Sequence, residues 1–120
     1  MGKLPYFNFY PSDWTRDMHK HPLKIAGAWI TICCELHWSE PRGKATNNLD
    51  EWARILGTTP EDTKEILEYI SLKGICDVTQ RNGNITVMSR RIYREEMERI
   101  SNRENNKLRQ QKYRSNRNVT

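Results

Sequence analysis

The sequence predicts a mainly α-helical domain with one small β-hairpin and a C-terminal helix. Three observations carry this. Apolar residues recur at three- and four-residue steps in three separate stretches, the period drops to two on either side of Asn82-Gly83, and the helical period resumes at Arg90. With 120 residues the chain fits one domain with an appended arm. At that size a compact fold hides roughly two-thirds of its unfolded surface, so it needs no disulfide staple.

The first element is an aromatic arm, residues 1–21, expected to pack on the core. Its stretch PYFNFYPSDW, Pro5 to Trp14, holds five of the eleven Phe, Trp and Tyr residues. Pro5 and Pro11 are expected to keep it extended, before any helix starts. Tyr6, Phe7, Phe9, Tyr10 and Trp14 then lie along a groove of the helices, because large aromatic areas are mostly buried. Asp13 is placed to cap or pair locally. The alternative use of these rings is a homodimer contact or stacking on single-stranded bases.

The domain proper is expected over residues 22–91. Its first helix runs from about Pro22 to Ser39, with Ile25, Ala26, Trp29, Ile32, Cys33 and Leu36 on a broad apolar face. Lys44 to Thr46 is a short strand candidate. Asn48 can cap a helix carrying Leu49, Trp52, Ala53 and Leu56, which Gly57 ends. Thr59 caps the next, with Pro60 at its first position, Glu61 and Asp62 against the positive end of the dipole, and Ile66, Leu67 and Ile70 buried. Gly74 stops it. ICDVTQ and NITVMS then form the hairpin, with Ile85 and Val87 on one side. A C-terminal helix is expected over residues 92–102, with Tyr93, Met97 and Ile100 as its stripe. Residues 103–120 are rich in Asn, Gln and Arg and hold only Leu108, Tyr113 and Val119 as apolar residues, so they are expected to be a disordered basic tail.

Helix, strand, helix, helix and hairpin is the order of a winged helix-turn-helix domain. Several local motifs also resemble the YdaU-like family of phage and prophage proteins. These are PYFNFYPSDW, Gly27-Ala28-Trp29, Trp38, ARILG at Ala53–Gly57, and SRRIYREE after the hairpin. The likeness covers roughly residues 4 to 96 and departs from the family at Trp29, where Tyr is common. It implies a winged-helix domain near replication initiators or replisome organisers. It implies no catalytic role for the aromatic stretch.

Charge divides sharply along the chain. Residues 1–102 hold fourteen Lys and Arg and fourteen Asp and Glu, so they cancel. Residues 103–120 hold Arg103, Lys107, Arg109, Lys112, Arg114 and Arg117 against Glu104 alone, which accounts for the whole net +5. Such a segment calls for a polyanionic partner. The nucleic-acid-binding residues predicted are therefore Arg81, Arg90, Arg91, Lys107, Arg109, Lys112, Tyr113, Arg114 and Arg117, with DNA as the partner and Tyr113 placed to stack on a base. Arg90 and Arg91 could equally be paired by Glu95 and Glu98 on the following helix.

In the second helix of the pair, Glu61, Asp62, Glu65 and Glu68 outnumber Lys64 and Lys73, which opposes insertion among phosphates. Glu61, Glu65 and Glu68 would instead serve the alternative function, an adaptor for a replication helicase or helicase loader. A homodimer through the C-terminal helix is a third reading.

No nucleophile elbow, phosphate-cradling loop, dinucleotide motif or H-E-x-x-H is present, so the expectation is a non-enzymatic protein without cofactor. Cys33 and His37 one turn apart, with His19 and His21 upstream, do not make a zinc pattern, and no metal is predicted. Cys33, Cys34 and Cys76 show no C-x-x-C spacing and read as reduced thiols of a cytoplasmic protein. No signal peptide, myristoylation motif or membrane span is expected.

Overall fold

Pro11 opens a helix. In the computed structural model, which describes residues 5–118 and side chains through Ser115, α1 spans Pro11–Met18. The extended reading holds no further than Tyr10, whose backbone is extended, and is corrected from Pro11 on. Pro11 occupies the first helical turn, where its missing N–H has no partner to lose, and Asp13 sits at the positive end of the dipole.

The other elements follow the expected order. They are α2 Leu23–Trp38, β1 Lys44–Asn48, α3 Leu49–Leu56, α4 Pro60–Leu72, β2 Asp77–Arg81, β3 Asn84–Met88 and α5 Arg90–Asn118. Local chemistry explains their ends. Asn48 and Glu51 form a reciprocal capping box, with Glu51 N–H donating to Asn48 Oδ1 at 2.8 Å and Asn48 N–H to Glu51 Oε1 at 2.9 Å. Gly57, at φ +71°, closes α3 in the left-handed region. Thr59 accepts from Asp62 N–H to start α4, and Asn82 and Gly83 take φ +54° and +80° in the hairpin turn. α3 and α4 are joined by the three residues Gly57 to Thr59.

β1 adds what the hairpin alone lacked. The sheet is antiparallel in the order β1-β3-β2, so β3 is central, with Val87 opposite both Ala45 and Val78. A third strand gives the hairpin the support an isolated ribbon lacks. Ile85 and Val87 face the core beside Ile32, Leu36, Trp52 and Ile70. Trp52 is wholly buried, and its indole N–H donates to the Ile85 carbonyl at 3.0 Å, tying α3 to the sheet.

From the arm the core takes Met18, with Trp14 packed against it. Met18 is the only buried side chain of α1, Phe7 and Trp14 are half-buried, and Tyr6, Phe9 and Tyr10 are 62%, 49% and 41% exposed. The expected burial is corrected for Tyr6, Phe9 and Tyr10, which stay largely exposed, while Trp14 packs on the core and Phe7 is half-buried.

The C-terminal prediction is also corrected. α5 runs unbroken through residues 92–102 and on to Asn118. Its root is buried at Ile92 and Glu96, while every residue from Ser101 to Ser115 is exposed. Weak hydrophobicity explains the absence of packing but not the absence of helix. No Gly or Pro interrupts Arg90–Asn118, and Glu, Lys, Arg, Leu and Gln have strong helix propensity. The projecting rod raises the radius of gyration to 18.6 Å, against roughly 14 Å for a compact chain of this length.

Cys33 and Cys76 are buried and Cys34 is exposed. Burial pushes the Cys33 and Cys76 thiols up to about 12, with Cys34 and Cys76 adding to the effect at Cys33 and Asp77 adding to it at Cys76. Thiol titration of the native protein should therefore show fast reaction of Cys34 alone, with Cys33 and Cys76 reacting on denaturation. Fast reaction of either buried thiol would contradict this packing.

Candidate nucleic-acid interface

The predicted cations fall into three groups in space. Arg81 ends β2 at the hairpin tip, opposite Asn84, with its side chain exposed. Among the described residues it takes part in no ion pair.

Arg90 and Arg91 are engaged, though not with Glu95 and Glu98. Arg90 Nη2 donates to the Gly74 carbonyl at 2.8 Å, and its Nη1 lies 3.5 Å from Asp77. Arg91 Nη2 donates to Asp13 Oδ2 at 2.7 Å and stacks 4.8 Å over the Tyr10 ring. Arg91 and Glu95 share one face of α5, but Asp13 takes the Arg91 guanidinium and Glu95 accepts from Tyr10 Oη at 3.2 Å. Arg90 and Arg91 thus fasten α5 to α1 and the hairpin.

The third group lies on outer α5. Arg103, Lys107, Arg109, Lys112 and Arg114 are exposed, and among the described residues none takes part in an ion pair. Arg103, Lys107, Gln110 and Arg114 succeed one another at steps of four, three and four, so they share one face. Arg109 and Lys112 point to other sides. Tyr113 is exposed, and Arg117 lies in the last turn, its side chain outside the described residues.

Glu61, Glu65 and Glu68 form an exposed stripe along α4. Asp62 beside them is drawn inward. Hydrogen bonds from Lys24 and Thr58, then the Lys24 charge, hold its carboxyl below the usual range.

Sequence reasoning missed two constellations. At the root of α5, Glu96 pairs with Arg42 at 3.3 Å and Arg99 at 2.7 Å, and Arg42 and Glu96 are both buried. Beside α1, a cleft of about 510 Å³ opens between the arm, α2, the end of α4 and the first turns of α5. Lys20, Lys73 and Arg94 line it from three separate parts of the chain. No short spacing could have announced either.

The residues weighed for zinc lie apart in role. His19 Nδ1 is 2.8 Å from the Thr15 carbonyl, and His21 Nδ1 is 2.8 Å from Tyr69 Oη. Among the described residues no cluster of three or more His, Cys, Asp or Glu could hold a metal ion, and no helix is long and apolar enough to cross a membrane. Comparison with family models, curated proteins and solved structures returns no match. The interface is therefore read from its own residues.

Proposed function

We propose that this chain is a DNA-binding module of winged-helix type whose projecting basic helix is the principal contact. The observation that carries the reading is outer α5: five exposed cations, one acid, and no ion pairs among the described residues. The order α2-β1-α3-α4-β2-β3 and the three-stranded sheet support the winged-helix assignment. The acidic stripe of α4 argues against the usual use of the second helix of the pair as reader.

Outer α5 extends roughly 27 Å beyond Ile100. Its width suits the major groove, where cations on several sides meet phosphates on both strands and the Gln110 amide faces base edges with the basic stripe. Arg81 at the hairpin tip adds a further phosphate contact. A place beside phage replication initiators or organisers is carried by the motif resemblance alone.

Anisotropy titration on duplex DNA tests this. Five phosphate contacts give a log–log salt slope of about −4 to −5, a loss of roughly 500-fold between about 50 and 200 mM salt. K107E/R109E/K112E in the full chain, and truncation to residues 1–101, should each flatten that slope and weaken binding. Equal weak binding by all three forms would refute the proposal.

A second reading rests on the exposed Glu61, Glu65 and Glu68 stripe, which ends beside exposed Leu72. It makes the chain an adaptor for a helicase or its loader. E65K/E68K should then abolish association with such a partner and leave duplex affinity intact.

A further inference from the structure

The cleft beside α1 gathers more positive charge than the neutral body would supply at random. Lys20, Lys73, Arg90, Arg91 and Arg94 line it, against Asp13 and Asp17. Both acids are already engaged. Asp13 holds Arg91 at 2.7 Å and Arg16 at 3.5 Å, and Asp17 accepts from Arg16 Nε at 2.9 Å. Lys20, Lys73 and Arg94 form no salt bridge among the described residues, although the Lys20 charge reaches Asp17, and Lys73 lies 5.7 Å over the Tyr69 ring.

Part of the remaining wall is aromatic. Phe9 and Trp14 stand 5.6 Å apart at 45°, and Trp29 lines the cleft from α2. Phe9 is half-exposed, and Trp14 and Trp29, though packed against the core on one side, keep part of their surface open. Unmatched cations beside open ring faces suit a ligand that carries a phosphate on a planar group. A phosphate alone would leave the rings unused, and an apolar ligand would leave the cations unmatched.

We propose that this cleft is a nucleotide site, in which an unstacked base lies against Phe9 and Trp14 while its phosphate is held by Lys20, Lys73 and Arg94. The volume accommodates one nucleotide and falls within the usual range of small-ligand sites. Base–aromatic stacking tolerates any base, so the site selects for an unpaired nucleotide and not for a sequence. The proposal goes beyond duplex binding by outer α5 and uses none of its residues.

The test is made in the K107E/R109E/K112E background, which removes α5 binding from the signal. Fluorescein-labelled tetrathymidylate should bind, and inorganic phosphate should not compete for the site. Adding F9A should weaken the tetranucleotide about fivefold or more through lost stacking. Adding K20E/K73E should weaken it about tenfold or more through two reversed phosphate contacts. In the otherwise unaltered chain, F9A should leave duplex affinity within about twofold, because distant sites act independently.

Competition by the tetranucleotide but not the mononucleotide supports the site and identifies a single strand as its source. Competition by both shows that a free nucleotide suffices. Unchanged tetranucleotide affinity in F9A and K20E/K73E, or phosphate competing as well as the mononucleotide, would overturn the proposal. Duplex binding retained in that event would leave the reading of α5 standing.

Discussion

Replacing Glu96 by alanine is expected to destabilise the fold by about 3–5 kcal/mol, because it strands a buried guanidinium. Arg42 is 7% exposed and Glu96 8%, and their contact at 3.3 Å is an ion pair without a hydrogen bond from Arg42 Nε. Arg42 Nη2 is likewise buried without a hydrogen-bond partner. The pair therefore rests on charge attraction alone at Arg42, while Glu96 is further held by Arg99 at 2.7 Å. Desolvation opposes that attraction, so two apolar residues should serve as well. R42M/E96L is expected to be at least as stable as the natural chain, as replaced buried pairs often are. Urea denaturation of the single and double variants decides the matter. A double variant as unstable as Glu96→Ala would show that the pair is worth more than its burial costs.

Gly43→Ala is expected to cost about 3 kcal/mol, combining overpacking with a left-handed backbone forced on an L-residue. Gly43 sits at φ +95°, and a Cβ there would meet Tyr93 N at 2.5 Å and Tyr93 Cα at 2.7 Å. Those atoms are α5 backbone and cannot rotate away. Gly43 also holds the root of α5 directly: its carbonyl accepts from Ser89 N–H at 2.9 Å, and its N–H donates to the Leu36 carbonyl at 2.9 Å. Gly57→Ala is the control, since φ is +71° there with nothing within 4 Å of the added carbon. It should cost about 1 kcal/mol, the conformational part alone. Equal losses at both sites in chemical denaturation would remove the steric argument.

These variants act on the joint that aims α5 away from the body, and that joint explains why the aromatic stretch was misjudged. Its proline could stiffen an arm or open a helix, and only the space left by α2, α3 and the sheet chooses between them. Tyr6, Phe9 and Tyr10 stay outside because Trp52 and β3 fill the interior. The tail was misjudged for a different reason. Absence of apolar residues forbids packing, whereas a helix without breakers needs only its own backbone bonds. Arg90 and Arg91 were legible as cations, but their partners Asp77 and Asp13 belong to other elements.

The sequence by itself determined the features whose causes span three or four residues. These are the cap at Asn48, the Asn82-Gly83 turn, the apolar stripes of α2–α4 and the separation of a neutral body from a cationic end. Tertiary structure alone decided the addition of β1 to the hairpin, the joining of Arg42 to Glu96 across 54 positions, and the convergence of Lys20, Lys73 and Arg94 on one cleft. Local rules follow from the fixed geometry of a turn or a helix repeat and can be read from neighbours. Distant pairings depend on which surfaces the packed core leaves facing one another, and no short spacing encodes that.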